Sequence, residues 1–194
     1  MVRWREGETE GVTETVILRS APTHALGPDR LRALRDLLDG AFGGDFSDED
    51  WDHGLGGLHV WIEDERRLPV AHGALVMRRV LHRGRSHRIG YVEGVAVRAG
   101  RRRQGLGGRV MAELERAIDG AYAFGALSAS DEGAALYEAR GWRLWRGRIA
   151  TLGPQGIVRL PDEEDSTYLR PAAGRPLPDP GEPLVFDWRD GDVM

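Results

Sequence analysis

The sequence contains no cysteine and no lysine. Without cysteine there is no disulfide, no thiolate nucleophile and no cysteine-based zinc site. All 27 basic residues are arginines, which excludes lysine Schiff-base chemistry and a P-loop lysine. Long apolar runs are missing too: nothing approaches the roughly 18 residues that mark a membrane-spanning helix. The opening "MVRWREGETEGVTE" has no apolar stretch of the secretory kind, so the cytoplasm is the expected compartment and residues 1–14 are expected to be flexible. The six histidines show no HExxH or comparable spacing, and no metal is expected. His53, His59 and His72 read as structural, while His82 and His87 fall in an arginine-rich hairpin and read as solvated.

What remains is an ordinary globular composition, 41% hydrophobic and 30% charged over 194 residues. One domain spanning 1–194 is expected, with a core of its own. A net charge of -4 weighs against nucleic acid as a general partner.

The chain reads as mixed α/β. "VILR" (16–19) is a short strand, and Leu31, Leu34, Leu38 and Phe42 recur at helical spacing after Pro28. "AFGGDFSDEDWDHGLGG" reads as a long acidic loop. "LHVWIE", "VAHGALVMRRVL" and "RIGYVEGVAVR" are rich in β-branched and aromatic residues and read as three strands. Leu106, Val110, Met111, Leu114 and Ile118 mark an amphipathic helix. "AYAFGALS" is a further strand, and "DEGAALYEARG" a helix that Gly141 would close. "RLWRGRIATL" and "IVRL" are the next strands. Five of the ten prolines fall within 171–183. The terminal "LVFDW" is too apolar for a free tail, so after this proline-rich excursion the chain is expected to return as a strand.

The stretch "RRRQGLG" (101–107) lies between a strand and a helix. Free backbone N–H groups and the positive end of the helix dipole make such a place an anion site. Gly105 and Gly107 let the backbone approach a ligand, and Arg102 and Arg103 can fork onto phosphate oxygens. Taken alone the loop also reads as a solvated basic turn, since short glycine motifs are weak. A nucleic-acid patch fits less well, because no aromatic side chains interleave the arginines.

Arg102-x-x-Gly105-x-Gly107 after "YVEGVAV" resembles the acyl-CoA signature of the GNAT superfamily of N-acetyltransferases. "AFGGDFSDEDWDHGLGGLHV", "YVEGVAVRA", "GAYAFGALSAS", "LYEARGW" and "FDWRDGDVM" are similar to one branch of it, the aminoglycoside 2′-N-acetyltransferases. These segments run from about residue 41 to the C-terminus. The resemblance implies a single GNAT-like domain: a central mixed, mostly antiparallel sheet flanked by helices, with a splayed strand pair that holds the cofactor. It implies acetyl-CoA as co-substrate, an aminoglycoside as acceptor, no nucleic-acid or membrane partner, and a homodimer.

The residues carried over are these. Val95, Ala96 and Val97 hold the pantetheine arm, with the Val95 N–H aimed at the thioester oxygen. Arg102, Arg103, Gln104, Gly105, Leu106 and Gly107 cradle the pyrophosphate. Gly94, inside an otherwise strong strand, is the local sign of a β-bulge and touches substrate. Glu93 is the general base, through a water; read alone, it is an exposed strand residue. Tyr137 is the general acid; read alone, it is an amphipathic core tyrosine. Asp45, Asp50, Ser128, Asp162, Glu163, Asp192 and Met194 join Glu93 and Gly94 on the substrate side, where carboxylates suit a polycation. With no cysteine, a cysteine thioester intermediate is impossible, and direct transfer in a ternary complex is the expected route.

Two departures lie on the substrate side. The 171–183 excursion is long and proline-rich, and Met194 stands where the family pattern has an aromatic. Three other readings stay open: an acetyltransferase of a cellular amine, a non-catalytic drug- or acetyl-CoA-binding protein, and a nucleic-acid module using Arg98 to Arg109.

Overall fold

The computed structural model describes residues 15–194, so the flexible lead expected for 1–14 lies outside the described residues. The elements run β1 (Ile17–Pro22), α1 (Pro28–Ala41), α2 (Asp48–Gly54), β2 (Leu58–Glu63), β3 (Pro69–His82), β4 (Arg85–Val97), α3 (Leu106–Ala121), β5 (Phe124–Ser128), α4 (Asp131–Glu138), β6 (Arg143–Leu144), β7 (Ile149–Gly153), β8 (Gly156–Arg159), β9 (Thr167–Pro171) and β10 (Leu184–Asp187).

One sheet carries all the strands, in the spatial order β6-β9-β5-β4-β3-β10-β7-β8, with β1 joined to it through β2. The long β3 pairs with β4 along one side. Its other side is shared: the first half takes β2, the second half β10. Only β4–β5 and β10–β7 are parallel. This is the mixed, mostly antiparallel sheet flanked by helices that the sequence implied.

Two cores cover the two faces. On one, the α3 stripe of Leu106, Val110, Met111, Leu114 and Ile118 packs on Val60, Leu75 and Val92. At about 1.5–3 kcal/mol for each fully buried side chain, this stripe fixes the helix that follows the arginine loop. Two glycines form the floor beneath it. Gly90 of β4 is paired with Gly125 of β5, and a Cβ on either would lie within 3.0 Å of the Ile118 side chain. On the other face, Ile89, Tyr91, Leu184, Phe186 and Met194 pack together, so the returning C-terminal strand is part of the core.

Several sequence expectations need correction. The acidic stretch 41–57 is not all loop, because it contains α2. Ser47 and Asp50 cap that helix reciprocally, each side chain accepting the other's backbone N–H at 3.0 and 2.9 Å. Seven residues are too few for a hydrophobic period to be visible. "RLWRGRIATL" is two strands, β6 and β7, separated at Gly147, where a Cβ would lie 2.7 Å from the Pro180 carbonyl oxygen. β9 was not foreseen: it pairs with β5 along its whole length. His82 is buried, with Nδ1 3.3 Å from the Pro183 carbonyl oxygen, because the excursion returns over it. Within the returning "LVFDW", Val185 and Phe186 are buried but Trp188 is half exposed.

Candidate active site

The site forms where β4 leaves its neighbours. β4 and β5 pair only at Gly90–Gly125 and Tyr91–Ala126, so the strands splay beyond that point. On the β3 side, Ala74 faces Glu93 and His72 faces Ala96, leaving Gly94 and Val95 opposite the single Gly73. This is the β-bulge that Gly94 signalled, and its φ of 53° is left-handed, a conformation glycine adopts without a Cβ penalty. Gly73 is required as well, since a Cβ there would meet Val110, Leu114 and Val95 at 2.9–3.4 Å.

A buried hydrogen-bond chain holds the bulge. His72 Nδ1 lies 2.9 Å from the Gly94 carbonyl oxygen, His72 Nε2 lies 3.0 Å from His59 Nδ1, and His59 Nε2 lies 2.9 Å from the Thr23 hydroxyl. Burial lowers the His59 pKa to about 4 and, with the neighbouring imidazole, the His72 pKa to about 3. Both rings are therefore neutral, which fixes their tautomers. The Gly94 oxygen can only accept, so His72 donates from Nδ1 and accepts at Nε2 from His59. His59 in turn accepts from Thr23. Both rings are structural, as expected.

The splayed strands open into a cleft of about 1030 Å³ that runs from Val95–Val97 over the start of α3 to Tyr137. Its arginine loop has two left-handed residues, Arg103 (φ 62°) and Gly105 (φ 75°). For arginine this costs about 1–2 kcal/mol. Gly105 is the N-cap of α3, which has no side-chain cap and no acidic residue in its first turn, so its leading N–H groups keep their capacity for an anion. Arg102, Arg103, Gly105, Leu106 and Gly107 line the cleft. Gln104 does not; its side chain accepts from Arg101 at 3.2 Å. The chemistry of this cradle fits a phosphate group.

Tyr137 lines the far wall. It packs edge-on against Trp142 at 6.2 Å, and Trp142 is held by Glu115 of α3, which also takes Arg140 at 2.8 and 2.6 Å. Burial pushes the Tyr137 phenol up to about 12.

Glu93 sits beside the bulge, on the opposite face of β4 from Val92. Its Oε1 accepts from Arg189 Nη1, both side chains being largely buried. Arg189 comes from the returning tail, donates from Nε to the Asp192 carbonyl at 3.1 Å and lies over the Tyr91 ring at 5.4 Å. The tail is pinned by Arg78, which donates to the Val193 carbonyl at 2.6 Å and to the Asp187 carboxylate at 2.8 Å. It crosses α2, where His53 lies 2.8 Å from the Asp190 carbonyl oxygen. Asp192 is exposed and Met194 is buried in the second core.

The other substrate-side residues divide. Asp45 lines the cleft. Ser128 ends β5 and donates to Glu163 Oε2 at 3.1 Å. Glu163 and Glu93 both act electrostatically on the buried Tyr91 hydroxyl, whose pKa burial raises. Asp50 is occupied in capping α2, and Asp162 is exposed in the turn 161–163. Sequence reasoning missed Arg189, for which a lone arginine among Asp187, Asp190 and Asp192 was the available signal. It also missed Asp131 and Glu132 at the cleft wall. Among the described residues, no three His, Asp or Glu side chains are gathered to hold a metal, and no helix is long and apolar enough to cross a membrane.

A splayed parallel pair, a bulge and an anion cradle ahead of the following helix define an acyl-CoA transferase fold, and comparison with known proteins agrees. Residues 31–142 match the model of the acetyltransferase (GNAT) family, and the chain belongs to that family. It is 43% identical over 178 residues to an aminoglycoside 2′-N-acetyltransferase of Mycolicibacterium fortuitum, covering 90% of each chain. Among solved structures it is similar to the GNAT family N-acetyltransferase YhbS of Escherichia coli in complex with CoA (TM-score 0.66, 19% identity, 91% of each chain). It is also similar to a GNAT acetyltransferase of Brucella melitensis in complex with acetyl-CoA (TM-score 0.59, 14% identity, 91% of this chain and 97% of that one). The resemblance read from the sequence is borne out.

Proposed function

We propose that the protein transfers the acetyl group of acetyl-CoA to the 2′-amine of aminoglycosides, directly and without a covalent enzyme intermediate. What carries this reading is 43% identity, over 90% of the chain, to an enzyme of that name. The carboxylates around Glu93 and the tail support a polycationic acceptor over a neutral one.

Acetyl-CoA supplies the activated acetyl thioester. The arginine loop and the α3 amides bind its phosphates, and Val95 to Val97 align its arm by backbone pairing. The Val95 N–H donates to the thioester oxygen as negative charge gathers there. Glu93 takes the proton from the amine, through a water where the sugar keeps the carboxylate at a distance. Tyr137 faces the departing sulfur. At about 12 its phenol is a weaker acid than a thiol near 8.5, so it stabilises the leaving thiolate chiefly as a hydrogen-bond donor.

Asp45, Ser128, Asp162, Glu163 and Asp192 are assigned to the acceptor, whereas the Asp50 carboxylate caps α2 and the Met194 side chain is buried in the second core. Acetylation removes one cation from the drug, and resistance is the proposed consequence. A homodimer in the cytoplasm completes the proposal. Ile157 and Val158 of β8, half exposed or more at an end of the sheet, support self-association. Incubation with acetyl-CoA and a panel of amines, with thiol release as the readout, tests the activity. Release only with simple metabolite amines favours the cellular-amine reading, and no release favours a binding protein.

A further inference from the structure

The residue proposed as base is not alone. Arg189 Nη1 donates to Glu93 Oε1, while Glu93 Oε2 has no protein partner among the described residues. The largely buried guanidinium has two further contacts, the Asp192 carbonyl at 3.1 Å and the Tyr91 ring face at 5.4 Å. Its Nη2 is buried with no acceptor, as is the Tyr91 hydroxyl. A buried cation is thus held against the residue proposed as base.

We propose that Arg189 is a positioning residue for the proton transfer. The inference rests on the reading of Glu93 as base. Arg189 occupies Oε1 and fixes the carboxylate rotamer, so Oε2 is the atom that takes the proton. With Oε1 engaged by Arg189, Oε2 alone is left to meet the substrate amine. A like charge beside the reacting nitrogen disfavours its ammonium form, and the neutral amine is the nucleophile. In the step itself the nitrogen lone pair forms the N–C bond and the amine proton passes to Oε2. The C–S electron pair leaves on sulfur.

The alternative is that Arg189 merely clips the tail. The two separate in the kinetics. Arg189→Ala is expected to lower kcat by at least about tenfold, part of the 10²–10⁴-fold that a positioned base supplies. The KM for the aminoglycoside should stay the same or fall, and acetyl-CoA affinity should not change. Arg189→Lys keeps one charge and one donor and should recover part of kcat. In a double-mutant cycle, Arg189→Ala should cost nothing further once Glu93→Gln is present. A raised KM with kcat intact, or additive losses in the cycle, would overturn the inference and leave a tail clip. Glu93→Gln with wild-type kcat would remove the base reading, and this inference with it. An impaired Glu93→Gln beside an Arg189→Ala within twofold of wild type would remove this inference alone.

Discussion

His72 donates from Nδ1 to the Gly94 carbonyl oxygen over 2.9 Å, so a neutral imidazole buried beneath β4 holds the bulge from which the site is built. The ring stays neutral because burial lowers its pKa to about 3, and that of its partner His59 to about 4. In the unfolded chain both titrate near 6.5. The unfolded state therefore binds more protons, and stability that is complete above pH 6.5 is lost as the pH falls toward 4. The slope is about 1.4 kcal/mol per pH unit for each imidazole kept neutral. Urea unfolding at pH 7, 6 and 5 checks this. His72→Phe should be less stable at pH 7 but lose less on acidification, whereas an unchanged slope would contradict the assignment.

Arg102 and Arg103 line the cleft beside the uncapped start of α3. Arg102 makes long contacts of its own, 3.5 Å to the Val97 carbonyl, 3.4 Å to the Ala41 carbonyl and 3.9 Å to the Glu132 carboxylate. Replacing both arginines with alanine should weaken acetyl-CoA binding by about tenfold at low ionic strength, with a smaller effect in high salt. Calorimetric titration at two salt concentrations measures it. Unchanged affinity at low salt would remove the cradle.

Tyr137→Phe keeps the ring against Trp142 and removes only the hydroxyl group. The expected result is a lower kcat with acetyl-CoA affinity and thermal stability preserved. Because burial holds the phenol at about 12, its own titration should give no alkaline loss of kcat below about pH 10. Steady-state rates and a melting curve on the same preparation decide it; turnover equal to wild type would clear Tyr137 of the role.

Deleting Asp192 to Met194 removes an exposed carboxylate and two buried side chains. The KM for aminoglycoside should rise by about tenfold, with acetyl-CoA affinity barely altered. Arg78 loses the Val193 carbonyl at 2.6 Å and the buried Val193 and Met194 side chains go with it, so a stability loss of about 3–6 kcal/mol should accompany it. Kinetics and denaturant titration separate the two effects. A wild-type KM would mean that the tail, although packed, does not meet substrate.

Much of this molecule was legible in the sequence because local chemistry dictated it. Gly94 interrupts a run of strand formers, and the chain bulges there. The α3 stripe and the arginine–glycine loop ahead of it carry their own periodicity and dihedral signals. What could not be read depends on distant partners. Arg189 lies 96 residues from Glu93, and no spacing rule connects them. β9 exists because β5 offers an edge, and α2 because Ser47 and Asp50 cap each other across three residues rich in acid. The burial of His82 follows from where a proline-rich excursion returns.

The central claim is the position of the transferred acetyl group. A neutral amine is a far better nucleophile than a hydroxyl at pH 7, so aminoglycosides with a 2′-amine should be acetylated once, on that nitrogen. Those with a 2′-hydroxyl should react poorly or not at all. Tandem mass spectrometry of the product from a 2′-amino aminoglycoside, with its 2′-hydroxyl counterpart as control, is the direct test. Acetyl on the 2′-nitrogen is the predicted result; acetyl on another ring amine, or equal reaction of the hydroxyl compound, would contradict the account.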